Sequence, residues 1–174
     1  EEPELARRFS PGQKALYFWW FVDAQVTNGG FVQFYYNGYA VYVPAIIAGL
    51  RHIGDNEMAE LINKAHTIYL TNEKTILEAR KKDLFGSDLY ERLDALGALD
   101  DKYYEINSQT MSLIEKYARQ NPHEFCVDDK GQPFDKNYSG KCSSIFVNGK
   151  IKEEFSLKDG IIDGEFKTYF ETGQ

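Results

Sequence analysis

Apolar side chains recur at steps of three and four residues over about the first 120 positions, the spacing of one face of an α-helix. Ser10-Pro11 offers an N-cap followed by a first helical residue. The helix that follows carries apolar residues on several sides: Ala15, Leu16, Phe18, Trp19, Trp20, Phe21, Val22 and Val26. We therefore expect it to be buried on more than one side, and the charge inside it, Asp23, to lie at a rim or to be paired.

More helices are predicted after Pro44. Helical spacing of apolar residues runs from there to Ile53. Gly54-Asp55 is expected to end that helix and to cap the next one. Asn72-Glu73 is then predicted to open another helix, which ends near Gly86.

The region from Asp88 to Gln120 predicts one long helix, or two helices joined near Gly97, and Asn121-Pro122 ends the pattern. Beyond that point helical spacing disappears. We therefore predict a mainly α fold, in which residues 1–122 form an α-helical domain of about six helices. Residues 123–174 are predicted to form a small C-terminal antiparallel β-hairpin appendage.

The segment from Asn28 to Gly38 interrupts the helical pattern. Two adjacent glycines, Gly29 and Gly30, follow an apolar helix and predict a stop, because glycine enters the left-handed region without steric cost. A short helix is expected after them, with an aromatic face made by Phe31, Phe34 and Tyr35.

The amide side chains of this segment point away from its aromatic face. They belong to Asn28, Gln33 and Asn37. In one interpretation the aromatic residues are core and the amides satisfy backbone groups. In the other, the amides line a ligand groove, which would bind rather than catalyse because amides neither titrate usefully nor attack a substrate.

Turn signals and short apolar segments replace helical spacing after residue 122. Hairpin turns are predicted at Asn148-Gly149-Lys150, Lys158-Asp159-Gly160 and Asp163-Gly164. The segment Phe146–Lys150 is echoed by Phe170–Gln174 at a spacing of 24 residues. This repeat resembles the MORN-variant repeats of bacterial proteins, through the core Lys-Asp-Gly-x-x-Asp-Gly-Glu-Phe.

The charge balance of the chain is acidic. Its formal net charge is −7 and its pI is near 5.0, which argues against general nucleic-acid affinity because like charges repel the phosphate backbone. Between residues 83 and 105 two bases, Arg92 and Lys102, oppose seven acids: Asp83, Asp88, Glu91, Asp94, Asp100, Asp101 and Glu105. This segment is either a solvated face that aids solubility or a surface for a basic protein partner.

The motifs of common enzyme classes are missing from the sequence, including the Gly-x-Ser-x-Gly elbow, the phosphate-binding loop and His-Glu-x-x-His. His52 and His66 lie on adjacent predicted helices. A metal site there would need Glu57 or Glu60 as a further ligand, and no cysteine is near. We expect no catalytic residue, no metal and no cofactor.

Cys126 and Cys142 leave the compartment open. A disulfide between them would imply an oxidising compartment, whereas two free thiols fit a cytoplasmic protein. No apolar run approaches the roughly 18 residues that span a membrane. The acidic start, Glu1 to Glu4, is unlike a signal peptide. We expect a cytoplasmic protein that does not bind membranes.

Three parts of the chain carry motifs that can be compared with known families. The first is Asn28 to Asn37, read as Asn-Gly-Gly-Phe-x-Gln-Phe-Tyr-x-Asn. The second is Ala48–Gly54 together with Ala59–Leu61, and the third is Leu99–Tyr104. Together they resemble a bacterial family of unknown function that includes a DNA-mimic protein, and the resemblance covers roughly residues 10–122.

The resemblance implies that carboxylates along helices imitate the phosphates of duplex DNA and occupy the basic face of a DNA-binding regulator. Duplex DNA carries one charge per about 1.7 Å of axis, and a helix rises about 1.5 Å per residue, so several helices or a homodimer would have to contribute. We expect a non-catalytic interaction module with a basic protein partner and no direct nucleic-acid binding.

Two alternatives remain open. The repeat and the acidic balance also fit a protein that neutralises a partner, such as an antitoxin or an immunity factor. The other alternative is a small enzyme with a pocket around Asn28, Gln33 and His66.

Overall fold

The computed structural model of the chain describes residues 4–146 and 148–172. The acidic start, Glu1 to Pro3, lies outside those ranges. The chain divides into two compact units, one up to Ile114 and one from Glu115 on. The first unit is helical and the second contains a small antiparallel sheet. The predicted class, a mainly helical chain with a small C-terminal antiparallel appendage, is confirmed at that level.

The helical segments differ in length from one turn to seven turns. In chain order they are α1 (Pro11–Tyr36), α2 (Val43–His52), α3 (Asn56–Lys81), α4 (Ser87–Arg92), α5 (Asp94–Gly97) and α6 (Asp100–Gln120), with 3-10 segments at Glu4–Arg8, Tyr39–Tyr42 and Pro122–Glu124. The predicted count of about six is close, but the chain is divided differently. Among the described residues, no helix combines the length and apolar character needed to cross a membrane.

The predicted helix start at Asn72-Glu73 is wrong, because α3 passes through it without a break. The side-chain amide of Asn72 donates to the carbonyl of Ile68, 2.9 Å away in the preceding turn. An Asn that bonds back in this way is accommodated inside a helix. Tyr69 and Ile76, on either side of it, are both buried, so the apolar face of α3 is continuous.

The region from Asp88 onward is more broken than either sequence alternative. Leu93 leaves the helical conformation, with φ −120° and ψ 30°, and separates α4 from α5. A second interruption follows Gly97, where the sequence placed a joint, and α6 then begins at Asp100. The predicted end at Asn121-Pro122 is confirmed.

Two predicted N-caps are confirmed by their hydrogen bonds. The hydroxyl of Ser10 accepts from the backbone of Gln13 at 3.1 Å, and the Gln13 side chain accepts from the Ser10 backbone at 3.0 Å, which is a capping box. Asp55 caps α3 by accepting from the backbone of Met58 at 3.0 Å. Its second oxygen accepts from the hydroxyl of Thr110 at 2.6 Å, which fixes the start of α3 against α6.

Helix α1 is the centre of the helical unit and contacts α2, α3 and α5. Trp19 stacks on Tyr103 of α6 with ring centroids 5.9 Å apart, and Tyr35 stacks on Tyr69 of α3 at 4.4 Å. Burying a large apolar side chain fully contributes about 1.5–3 kcal/mol. The buried apolar residues of α1 are Ala15, Phe18, Trp19, Val22, Val26, Phe31, Val32, Phe34 and Tyr35.

In the residues that the structure describes, the second unit contains five short strands. They are β1 (Val127–Asp128), β2 (Gly140–Ile145), β3 (Ile151–Lys158), β4 (Ile161–Ile162) and β5 (Lys167–Thr168). All the pairings are antiparallel, in the order β1-β2-β3-β4, and β5 also pairs with β3.

Two of the three predicted hairpin turns reverse the chain as expected, at Asn148-Gly149 and at Asp159-Gly160. Asp159 and Gly160 both have positive φ, 51° and 77°, as a type I′ turn requires. The prediction at Asp163-Gly164 is wrong. The two strands on either side of this turn, β4 and β5, do not pair with each other. Both pair with β3, so the turn is an interruption along one edge of the sheet. Gly164 has φ 94°, which lets the chain bulge there and continue.

Both cysteines are free thiols in the core of the second unit. Cys142 packs with Phe155 and Leu157, and Cys126 lies against this cluster. Burial raises the pKa of Cys126 to about 12 and that of Cys142 to about 11. They act as small apolar side chains in this core.

The two segments of the predicted repeat lie side by side. The amide of Asn148 donates to the carboxylate of Glu171 at 3.3 Å. The ammonium of Lys150 donates to the backbone carbonyls of Glu171 and Thr172, at 3.2 Å and 3.4 Å. Three members of the predicted repeat lie outside the described residues: Val147, Gly173 and Gln174.

Candidate functional site

The paired glycines, predicted to end one helix before a second short one, instead kink the single helix α1. Gly29 has φ −161° and ψ 31°, and Gly30 has φ 69° and ψ −175°. The conformation of Gly30 is not the left-handed helical one expected, because its ψ is extended. That combination is available essentially to glycine alone. Helical geometry resumes at Phe31, and Asn37 is the C-cap of the helix. The next residue, Gly38, has a positive φ of 86°.

The kink leaves the backbone N–H of Phe31 without a helical partner, and a side chain from α6 supplies one. Asp100 accepts a hydrogen bond from this N–H over 2.9 Å. Gly30 makes the approach possible, because a Cβ placed on it would lie 2.1 Å from Asp100 Oδ2. The glycine therefore serves both the backbone conformation and the close contact.

Carbonyl groups freed at the kink accept from tyrosine hydroxyls. Tyr90 of α4 donates to the carbonyl of Gly29 at 2.9 Å. Tyr104 of α6 donates to the carbonyl of Val26 at 3.2 Å, with that of Thr27 at 3.3 Å. Buried backbone groups require such partners, so α4 and α6 complete the broken helix.

Asp100 differs from the other six acids of its segment in being half-buried. Burial raises the pKa of its carboxyl above the usual range, and the nearby charge of Asp101 acts in the same direction. The hydrogen bond from Phe31 opposes both by stabilising the carboxylate. The structure thus places Asp100 at the kink, as a partner of the backbone.

Asp23 is paired, one of the two outcomes expected. Its carboxylate accepts from the hydroxyl of Tyr103 at 2.7 Å and from the amide of Asn107 at 3.2 Å, both on α6. Burial together with the Asp23 carboxylate raises the pKa of Tyr103. Two uncharged side chains of α6 therefore donate hydrogen bonds to one carboxylate of α1, and these bonds hold the two helices together.

The motif residues after the kink separate into an inner and an outer set. Phe31, Phe34 and Tyr35 are almost completely buried. Asn28 and Asn37 are exposed, and Gln33 is half-exposed. The aromatic set is therefore core, as the first interpretation of this segment holds.

The outer amides bond to one another across the kink. Asn28 donates to Gln33 at 2.9 Å, and Gln33 donates to Gln25 at 3.1 Å. Gln25 also accepts from Asn37 at 2.6 Å. The sequence analysis did not identify Gln25, whose amide side chain was its only signal. Its partners lie 8 and 12 residues further along the chain, and only the kink brings them within hydrogen-bond distance.

Six carboxylates of the acidic segment are exposed and belong to four helices or their ends. Asp83 follows α3, Asp88 and Glu91 lie on α4, and Asp94 begins α5. The remaining two lie in the first turns of α6: Asp101 and Glu105. We call these six residues the acidic surface.

Part of the acidic surface is neutralised. Lys102 donates to Glu105 at 3.2 Å and also contacts Glu57 at 3.0 Å. Asp83 accepts a long hydrogen bond of 3.4 Å from Tyr36, whose hydroxyl is neutral and leaves the charge of Asp83 in place. Within residues 4–146 and 148–172, five of the six carboxylates have no cationic partner: Asp83, Asp88, Glu91, Asp94 and Asp101.

His66, proposed above for an enzyme pocket, is part of an aromatic stack. Its ring lies 6.1 Å from Tyr35 and 5.7 Å from Tyr69, centroid to centroid. Burial lowers the pKa of His66, and the charge of Glu73 opposes this. In the part of the chain that the structure describes, no group of three or more His, Cys, Asp or Glu residues is arranged to hold a metal ion.

Comparison with known proteins shows which family the helical part of the chain resembles. The profile of a family described as DMP19-like protein matches residues 7–121. The chain is 26% identical over 118 residues to a protein described as DNA mimic protein DMP19, from Neisseria meningitidis serogroup B. That match covers 67% of this chain and 72% of the relative. No solved structure matches the chain significantly.

Proposed function

Because the chain belongs to the DMP19-like protein family, we propose that it is a non-catalytic interaction protein whose acidic surface imitates DNA. Its partner would be a basic DNA-binding protein, held at the face that otherwise contacts phosphates. The name of the Neisseria relative, a DNA mimic, supports this function. The observation that carries the proposal is the set of five exposed carboxylates without a cationic partner among the described residues: Asp83, Asp88, Glu91, Asp94 and Asp101.

The break-up of the chain into short helices favours this use. Acids every three or four residues on one helix give about one charge per 5 Å, well below duplex density. The acidic surface draws on α4, α5, the start of α6 and the end of α3, so charges from several elements add. A homodimer would double the number of charges, and we propose it as the arrangement that brings their density nearer to that of a duplex.

Two bases that would interrupt a negative field are already neutralised. Arg51 contacts Glu60 at 2.8 Å, and Lys102 lies between Glu57 and Glu105. A cation paired in this way contributes little net field at the distance of a docked protein. Arg92 remains as an exposed base inside the acidic surface.

The experiment is displacement of DNA from a regulator. Basic DNA-binding regulators of the same genome are each loaded with a fluorescent duplex of their own binding site, and the chain is titrated in while anisotropy is followed. We expect one regulator to release its duplex, and the effect to weaken as salt rises. Asp94→Lys combined with Asp101→Lys should weaken displacement at least about tenfold, because attraction becomes repulsion.

The control variant carries the same change of charge on the second unit, Asp129→Lys combined with Asp163→Lys. Both residues are exposed. Displacement that is insensitive to salt, or that falls equally in both double variants, would contradict a specific acidic surface. Circular dichroism spectra of all variants show whether the fold is kept.

An antitoxin- or immunity-type function is the second candidate, and the repeat-like second unit favours it. We propose that this unit is a MORN-variant-like repeat, supported by the contact between its two echoed turns at Lys150 and Glu171. Ile161 and Phe170 are 71% and 76% exposed, which suits contact with another protein. A toxin gene beside this one, and rescue of cells that express it, would support this function over DNA mimicry.

The remaining proposals concern organisation and place. We propose a functional boundary near residue 122, where the family match ends. We also propose that the protein acts in the cytoplasm, which free thiols at Cys126 and Cys142 favour. The amides at Asn28, Gln33 and Asn37 already bond within the chain, so we assign them to the support of the kink.

A further inference from the structure

Three of the four elements that carry the acidic surface contact one short segment of α1, residues 26–36, which contains the kink. Helix α4 does so through the hydroxyl of Tyr90, which donates to the carbonyl of Gly29 at 2.9 Å. Helix α6 does so through Asp100 and Tyr104, which bond to backbone groups after and before the kink. The position of α4 relative to α6 is therefore tied to the geometry of the kink.

The third element is the end of α3, which Asp83 follows. Asp83 accepts the 3.4 Å hydrogen bond from Tyr36, at the end of the same segment. The ring of Tyr36 also packs on Phe85 with centroids 4.7 Å apart, and Phe85 packs on Tyr90 at 5.6 Å. A chain of contacts therefore joins the segment to the loop between α3 and α4, and joins that loop to α4.

The two short helices that carry acids do not set the place of those acids alone. Helix α4 has six residues and α5 has four. Isolated helices shorter than about 12–15 residues are marginal in water. Leu89, Leu93 and Leu96 are buried and anchor this region by apolar contact, which has no preferred direction. The hydrogen bond of Tyr90 is directional, so it fixes where the carboxylates of α4 lie relative to the kink.

We infer that residues 26–36 are the positioning element of the acidic surface, and that they thereby select which basic face can dock on it. The hydrogen bonds of the kink set the distances between the carboxylates of α4 and those of α6. A prearranged set of charges loses less freedom on binding, and its spacing decides which cationic groups it matches. The inference rests on the function proposed above, and it assigns the Asn-Gly-Gly-Phe motif to recognition although no residue of this motif belongs to the acidic surface.

The first test measures the arrangement of the acids without any partner. Tyr90→Phe combined with Tyr104→Phe removes two hydroxyls and keeps both rings and every charge. Spin labels on the exposed positions Asp88→Cys and Asp101→Cys report the distance from α4 to α6 by pulsed electron paramagnetic resonance, and intact-mass spectrometry verifies that only these two sites are labelled. We expect the distance distribution to broaden about twofold in the double tyrosine variant, because α4 is too short to hold its place alone. Ile46→Val, buried on α2, is a destabilising control and should leave the distribution unchanged.

The second test measures the effect on the partner in the displacement assay described above, with Asp88 and Asp101 in place. The double tyrosine variant should displace the duplex at least about threefold less well, and its displacement should depend less on salt, because fewer carboxylates engage at the same time. A mere loss of folded protein would lower the active fraction and leave the salt dependence unchanged. Ile46→Val should therefore keep the native salt dependence.

Two results would overturn the inference and leave the DNA mimicry intact. One is a distance distribution that stays narrow in the double tyrosine variant. The other is a broadened distribution together with native displacement and native salt dependence. A native chain that releases no duplex would instead contradict the proposed function and, with it, the part of the kink in recognition. Thermal unfolding of each variant shows that the fold is kept.

Discussion

The carboxylate of Asp100 accepts a hydrogen bond from the backbone N–H of Phe31, 69 residues earlier in the chain. Phe31 is completely buried, so water cannot replace this acceptor without a change of structure. The contact joins the first residue of α6 to the first residue after the kink in α1. This hydrogen bond explains how α1 can keep one fixed kink although the kink lies in the core.

Removing that acceptor should destabilise the helical unit. Asp100→Ala leaves the N–H of Phe31 buried and unpaired, and we expect the free energy of unfolding to fall by about 1–3 kcal/mol. Asp101→Ala, next to it but exposed, should stay within about 0.5 kcal/mol of the native protein. Urea unfolding followed by circular dichroism measures both. Equal losses in the two variants would show that the contact does not hold the kink.

A side chain at Gly30 should be more damaging than one at an ordinary helical glycine. Gly30→Ala would strain a residue at φ 69° and ψ −175° and would bring its Cβ against Asp100, so we expect a loss of at least about 2 kcal/mol. Gly97→Ala meets no atom within 4 Å and should be neutral or stabilising by up to about 1 kcal/mol. Thermal unfolding of the two variants checks the difference. A stable Gly30→Ala protein would contradict the described kink.

The stability of the helical unit should fall on mild acidification. Burial lowers the pKa of His66 in the folded protein, so the unfolded chain binds a proton more readily there. Stability from this residue is therefore complete above the usual histidine pKa of about 6.5 and is lost as pH falls through that value and below it. His66→Phe keeps a ring beside Tyr35 and Tyr69, and its unfolding free energy should depend less on pH between about 5 and 7. An unchanged slope would assign the effect to other groups.

The thiols should react slowly while the protein is folded. Burial raises the pKa of Cys126 to about 12 and that of Cys142 to about 11, so little thiolate exists at pH 8. Alkylation by iodoacetamide should be about a hundredfold slower, or more, in the folded protein than in urea, because thiolate is the reacting form. Intact-mass spectrometry gives both rates. Fast labelling without urea would mean that the core of the second unit opens readily.

Local signals in the sequence predicted the features that depend on a few neighbouring residues. Ser10 and Asp55 act as caps because their side chains reach backbone groups three residues away. Gly29-Gly30 breaks the helix because the conformation needed is closed to other residues. Each of these outcomes is decided within one turn of chain, so the sequence around it is sufficient.

Features that depend on distant contacts were missed or misread. Nothing near Asp100 indicates that it serves Phe31, and nothing near Gln25 indicates an amide partner beyond the bend. Asn72 resembles a helix start, but the continuous apolar face of α3 outweighs that preference. Asp163-Gly164 resembles a hairpin, but both strands beside it pair with β3 and carry the chain straight on.

The close approach of Gly30 and Asp100 also has a consequence for how this sequence can drift. Each residue limits what selection accepts at the other, since a larger residue at 30 is admissible only with a shorter one at 100. Relatives with the same bend should therefore keep both residues or replace both, while Asp101 varies freely. A lineage that lost only the glycine would have to straighten α1. The tyrosine hydroxyls that donate to carbonyls at the kink would then lose their partners.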